Sequence, residues 1–192
     1  MPVTAWALKE ACAQAVAWHA AGAGNLTISV NLATPDVAQA ETVEAVWEAL
    51  SATRLEAHFL RLEITEGTIM KDLDSVVPLL LALKDLGIGI HIDDFGTGYS
   101  SLSYLHRLPT DALKVDRSFV SRAESPGDAT IVRTIVELAH NLDRQVVAEG
   151  LETADQLAFL RSLRCEYGQG FHFAPPLEPA EAASLIASSP VW

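Results

Sequence analysis

Basic residues are scarce in this chain. Thirteen Lys and Arg face 25 Asp and Glu among 192 residues, a formal net charge of −12. No Lys/Arg-rich run occurs, and a nucleic-acid duplex needs a basic footprint, so duplex nucleic acid is not an expected partner. An anionic ligand would have to be drawn in by something other than net charge, and a bound divalent cation would serve. Cysteine is nearly absent. Cys12 and Cys165 have neither metal-site spacing nor the density of a disulfide scaffold, which points to two reduced thiols in a cytoplasmic protein. Long apolar runs are missing as well. The longest, Val76 to Leu83, is broken by Pro78 and falls far short of a membrane span. Lys9 and Glu10 interrupt the N-terminal apolar residues, so they do not read as a secretory signal. No linker or low-complexity tract divides the chain, and residues 1–192 read as one domain.

What is present is an alternation of short β-rich runs with helical stretches. The first helix is predicted over Thr4 to Ala21, with Trp6, Cys12 and Val16 on its apolar stripe and Gly22 and Gly24 ending it. Strands are predicted at 26–32, 59–65, 88–93, 112–116, 145–150 and 167–173. Between them, Thr34-Pro35 reads as the start of a helix with Thr34 as N-cap. Further helices are predicted at 73–86 (closed by Gly87), at 101–108, at 129–142, from a capping box at Thr153 to Gln156, and from Pro179. Residues 123–128 read as the most flexible loop, and Trp6, Trp18 and Trp47 as helix core. Six strands alternating with helices predict an α/β fold with a parallel sheet.

Polar residues fall regularly within these strands. Ser29 and Asn31 alternate with Ile28, Val30 and Leu32; Arg61 and Glu63 alternate with Leu60, Leu62 and Ile64. His91 and Asp93 oppose Ile88, Ile90 and Ile92, and Lys114 opposes Leu113 and Val115. The period of two defines one apolar and one polar face. A sheet with one wet face would give this pattern. Parallel strands joined by helices are, however, normally covered on both faces or closed into a barrel, with polar groups at the C-terminal mouth. Asn31, Glu63, Asp93 with Asp94, Lys114, Glu149 and Gln169 recur every 20 to 35 residues, about one βα unit. Gathered at one mouth, the carboxylates would repel one another unless they protonate or share a cation. Oxygen donors of this kind suit Mg²⁺ or Mn²⁺, and a metal pair suits phosphate-ester hydrolysis. A Schiff-base barrel using Lys114 is the competing enzyme reading, disfavoured by the surplus of carboxylates.

The segments TISVNLA (27–33), LEITEG (62–67), IDDFGTGYSSLSYLHRLPTDALKVDRSFV (92–120), VVAEGLET (146–153) and QGFHFAPPL (169–177), preceded by WALKEACAQAVAW, resemble in order the signatures of the EAL family. That resemblance implies a TIM-like (β/α) barrel, here with about six of its strands, and hydrolysis of cyclic di-GMP to linear pGpG with two Mg²⁺ or Mn²⁺ ions. It implies Asn31, Glu63 and Asp93 as ligands of one metal, and Asp94 and Glu149 as serving the second metal or the attacking water. Lys114 would polarise that water, and Gln169 would orient the metal-water network. Glu66 would anchor the loop after Asp94, and Glu152 would support the Glu149 loop. Plain structural roles are available for each: a turn cap for Asn31, helix-start acids for Glu66 and Glu152, charge neutralisation for Lys114. His91 and His172 read as packed or hydrogen-bonded.

The family's Glu-x-Leu-x-Arg strand does not occur among these 192 residues. It contributes a metal-ligating glutamate and a phosphate-binding arginine in the family. The expectation is therefore a barrel incomplete at its N-terminal end, prone to self-association, a homodimer included, and weak or inactive alone. Upstream sensory or cyclase domains are further expected partners. A non-catalytic module that binds cyclic di-GMP or a protein, or a non-functional remnant, is the alternative.

Overall fold

A computed structural model describes residues 2–37, 39, 41–98, 102–123 and 125–190. Strands β1 (Ile28–Asn31), β2 (Leu60–Thr65), β3 (Gly89–Phe95), β4 (Ala112–Val115), β5 (Gln145–Glu149) and β6 (Tyr167–Gln169) form one sheet in chain order. The pairings β1–β2, β3–β4, β4–β5 and β5–β6 are parallel. Every parallel step needs a crossover. Helix α1 (Pro2–Ala20) precedes the first strand; α2 (Glu41–Thr53), α3 (Glu66–Lys71), α4 (Leu73–Asp85), α5 (Leu102–Leu105), α6 (Arg117–Val120), α7 (Pro126–Asn141) and α8 (Ala154–Ser162) lie between strands; α9 (Pro179–Ser188) follows the last. The chain divides into two compact units. One comprises Met1–Ile64, Thr68–Ile90 and Leu177–Trp192; the other comprises Thr65–Gly67 and His91–Pro176.

The strand cores are those that the alternation predicts. Leu60, Leu62 and Ile64 in the first unit, and Ile92, Leu113 and Val115 in the second, are fully buried. On β2, β3 and β4 the opposite face is covered too, with Glu63, His91 and Lys114 buried, whereas Ser29 and Asn31 on β1 are exposed. In the second unit α7 covers the apolar side of β4 and β5 with Val132, Ile135, Val136 and Ala139, an i, i+3, i+4, i+7 stripe. Both cysteines are free, and burial pushes each thiol up to about 11, which keeps them protonated and unreactive.

Several local expectations are corrected. Thr34 does not cap a long helix. Residues Thr34–Asp36 make a single 3-10 turn capped by Ala33, the Thr34 hydroxyl instead lies 2.7 Å from that of Thr68, and the helix begins at Glu41. Trp6 and Trp47 are exposed and Trp18 is half-buried. The buried apolar residues of the paired helices α1 and α2 are Leu8, Cys12 and Ala15 on α1 and Ala45, Val46 and Ala49 on α2, and the indoles of Trp6 and Trp47 stand beside that seam, lining a surface cavity. Helix α7 starts three residues before the expected Ala129, because Ser125 caps it through Asp128 N–H (3.3 Å) and Pro126 follows. Much of the expected flexible loop is therefore helix; Glu124 lies outside the described residues. The expected helix at 101–108 is one turn, Leu102–Leu105, with Ser101 outside the described residues.

Strand β6 ends at Gln169 rather than Phe173. The chain instead wraps the Leu151 peptide, whose N–H donates to Gln169 O (3.0 Å) and whose carbonyl accepts from His172 N–H (2.8 Å). A Cβ on Gly170 would stand 2.2 Å from the Leu151 oxygen, so only glycine fits. Gly170→Ala is expected to destabilise the protein by about 2 kcal/mol or more, since the clash is with backbone. Urea unfolding checks this, with Gly127→Ala, where the added methyl meets nothing closer than 3.8 Å, as the tolerant control.

Candidate active site

Parallel strands deliver their C-terminal residues to one edge of the sheet. In the first unit Asn31 and Glu63 are register partners on β1 and β2. Their side chains therefore project from the same face of adjacent strands. Asn31 is exposed and Glu63 buried.

In the second unit the third strand breaks its own period. Between Ile92 and Phe95, β3 advances three residues while β4 advances two, from Leu113 to Val115. This bulge falls on Asp93 and Asp94, and Asp94 takes a left-handed φ of +53°. A regular strand would send consecutive side chains to opposite faces; a bulge re-aims one of them. Aspartate tolerates the left-handed region better than most residues. Carboxylate oxygens of Asp93, Asp94 and Glu149 consequently lie within 4.8 Å of one another.

Lys114 reaches into this group from β4. Its Nζ is 2.9 Å from Asp93 Oδ1 and 2.6 Å from Glu149 Oε1, and the side chain is 3% exposed. One ammonium does not balance the cluster. Burial raises the Asp94 pKa above the usual carboxylate range, and the charges of Asp93 and Asp116 add to the rise against a smaller opposing pull from Lys114. Asp93 Oδ1 is buried, and the Lys114 ammonium is its close partner at 2.9 Å. Three carboxylates gathered within 4.8 Å are hard oxygen donors of the kind that suit a divalent cation such as Mg²⁺ or Mn²⁺.

Glu66 opens α3 and is buried at 1% exposure. Its Oε2 accepts from Gly96 N–H (3.0 Å) and its Oε1 from the Tyr104 hydroxyl (2.7 Å). Gln169 pairs in register with Glu149 on β6 and β5. Glu152 is exposed, and its backbone N–H donates to Gln156 Oε1 (2.8 Å). Gln169, Glu149 and Glu152 line a cleft of about 210 Å³ together with Arg117, Gly150, Gly170 and Phe171.

Asp116, Arg117, Tyr104 and Phe171 were not among the residues expected at the site. Asp116 could have been found by the rule that located the others, a polar residue just past a strand. Its role as N-cap of α6, accepting from Ser118 N–H (2.9 Å), accounts for it locally and masks that signal. Nothing in the periodicity marks Tyr104 or Phe171.

Two outcomes follow from this electrostatic arrangement. Lys114→Met is expected to destabilise the metal-free protein by about 2–3 kcal/mol, because it leaves the half-buried carboxylates of Asp93 and Glu149 without their cation; thermal unfolding at neutral pH checks it. For Asp94 the sign runs the other way. A carboxyl that holds its proton more tightly when folded adds stability at low pH and loses it as pH rises through its folded pKa. Asp94→Asn keeps the turn geometry and removes that loss. The metal-free variant is expected to be more stable than the parent at neutral pH, with the gap closing towards acid, as unfolding curves across pH would record.

Residues 2–176 match the EAL domain family. The chain is 47% identical over 182 residues to the cyclic di-GMP phosphodiesterase NbdA of Pseudomonas aeruginosa, an alignment covering 94% of this chain and 23% of that protein. It spans about a quarter of the length of the curated relatives it matches. The structure superposes with a TM-score of 0.91 on the MucR phosphodiesterase of Pseudomonas aeruginosa in complex with cyclic di-GMP, at 43% identity, covering 94% of this chain and 74% of that one. BlrP1 of Klebsiella pneumoniae, solved with manganese and cyclic di-GMP, gives a TM-score of 0.78 at 31% identity, covering 90% and 45%. No helix among the described residues is long and apolar enough to cross a membrane. On the extent and identity of these matches, the chain belongs to the EAL domain family, with its α/β, TIM-barrel-like fold.

Proposed function

We propose that this chain carries out metal-dependent hydrolysis of cyclic di-GMP to linear pGpG. The observation that supports this best is the juxtaposition of Asp93, Asp94 and Glu149, oxygens within 4.8 Å, around the buried ammonium of Lys114. The phosphodiesterases NbdA and MucR are its relatives.

Asp93, Asp94 and Glu149 are the carboxylates that would hold Mg²⁺ or Mn²⁺, and Asn31 and Glu63 offer a further pair of oxygen donors on neighbouring strands. When bound, the metal supplies Lewis-acid stabilisation of phosphoryl oxygens and makes water acidic enough to attack at neutral pH. The protein's own groups do the rest. Lys114 pairs with Glu149 at 2.6 Å and fixes the place of that carboxylate, which would accept a proton from the attacking water. The same ammonium, fixed and buried, stabilises negative charge that builds on the phosphoryl group. Arg117 and Gln169, in the adjoining cleft, present donors to an anionic nucleotide, and an arginine fork suits phosphate oxygens. Water adds to phosphorus, one ring phosphodiester bond breaks, and the ribose oxygen leaves as an alcohol.

Asp93→Asn keeps the shape and removes a charge needed to hold the cation. It is expected to lower the rate by about 10²-fold or more, the scale of losing one preorganised charge-stabilising group. Purified chain incubated with cyclic di-GMP and Mn²⁺ should yield pGpG only slowly, and the variant none that can be measured. Tight nucleotide binding without any cleavage by the parent chain would replace this reading with that of a binding module.

A further inference from the structure

Asp94 reaches the carboxylate cluster only because the chain turns sharply behind it. The turn is tied by Thr97, whose N–H (3.3 Å) and hydroxyl (2.9 Å) both donate to Asp94 O. Its second tie is distant in sequence: Gly96 N–H donates to Glu66 Oε2. Gly96 itself has φ +96°, and a Cβ there would press on Phe119 and Ile135 at 3.1 Å. The turn is therefore seated against the second unit's core on one side and the Glu66 carboxylate on the other. A Cβ on Gly98 would lie 3.6 Å from that carboxylate, so the chain passes closely over it.

A buried carboxylate can rotate about its last torsion, and a two-fold well is broad. Something has to select the rotamer that points Oε2 at Gly96. Tyr104, 5% exposed, donates its hydroxyl to Oε1 at 2.7 Å. A phenol–carboxylate bond is charge-assisted and short. Its donor sits on a two-torsion aromatic side chain packed in the core, so its position is well defined.

We propose that Tyr104 is a positioning residue: its hydroxyl orients Glu66, Glu66 holds the Gly96 amide, and the Gly96 turn sets where the Asp94 carboxylate stands relative to Asp93 and Glu149. The inference rests on the reading of that cluster as a metal site, and it adds a residue that touches none of the reacting atoms. A relay of this sort has two separable signatures. One is the order of the turn itself, which exists with or without metal. The other is the affinity of the cluster for a divalent ion, which falls when a ligand's carriers are misplaced.

Tyr104→Phe removes the hydroxyl and keeps the ring. In the full chain without metal, amide hydrogen exchange of the segment 94–98 is expected to speed up about tenfold, while β4 and β5 keep their protection. In calorimetric titration with Mn²⁺ the dissociation constant should rise about five- to tenfold, with little change in the nucleotide-free unfolding temperature. Glu66→Gln, which keeps the side-chain shape and weakens both bonds, should move both readouts the same way and serves if Tyr104→Phe folds poorly. Asp93→Asn separates the two layers: it should abolish Mn²⁺ binding without loosening residues 94–98. Unchanged exchange at 94–98 in Tyr104→Phe overturns the positioning role. So does a uniform loss of protection with unaltered Mn²⁺ affinity, the mark of a merely structural tyrosine. Failure of the parent chain to bind Mn²⁺ overturns the metal reading instead, and with it the second half of the relay.

Discussion

Crowding of like charge is the constraint on which the rest depends. Asp93, Asp94 and Glu149 share a space a few ångströms across, Asp116 adds its field, and Lys114 is the ammonium buried among them. Carboxylates so placed cannot all ionise in low dielectric without a counter-charge. Lys114 offsets part of the repulsion, and the Asp94 pKa stays raised, through burial first and the charges of Asp93 and Asp116 after it. The natural completion is a cation that binds oxygen. A chain with net charge −12 would gain from it twice, in stability and in its capacity to receive an anionic nucleotide.

The fold spends local order to create this crowding. A bulge interrupts β3, Asp94 sits in the left-handed region, and Gly96 follows with positive φ. Sparsely populated backbone conformations persist where surrounding structure over-determines them. Here the fixing groups are identifiable: the Glu66 carboxylate, the Tyr104 hydroxyl, and the Ile135 and Phe119 side chains against Gly96. The neighbouring strands are regular, with β4 and β5 in unbroken register, so the irregularity is confined to the residues that carry carboxylates.

The period-two alternation in β2, β3 and β4 made the strands and their buried faces legible, since Leu, Ile and Val at every second position leave little choice of orientation. The capping box at Thr153, observed with both of its hydrogen bonds, and the turn at Gly87 were legible for the same local reason. What escaped was non-local. Exposed Trp6 and Trp47 depend on which helix face meets which neighbour, and the small residues at that seam are an ambiguous signal. The early end of β6 depends on a close approach to Leu151, 19 residues away from Gly170. At the site, the strand-end rule named Asp93 with Asp94, Lys114 and Glu149, which stand together. It did not reveal the bulge that brings Asp94 beside them, because one extra residue in a strand leaves no mark on hydrophobicity. Tyr104 was hidden because an aromatic on a short helix reads as core, and its hydroxyl meets a partner 38 positions earlier.

The most direct measurement is where manganese sits. Crystals of the chain grown or soaked with Mn²⁺ and recorded at the manganese absorption edge would show anomalous density from any bound ion. A peak is expected at coordination distance from carboxylate oxygens of Asp93, Asp94 and Glu149, with Lys114 Nζ adjacent. Density confined to other surface carboxylates, with Lys114 still bridging Asp93 and Glu149 and no peak among them, would contradict it.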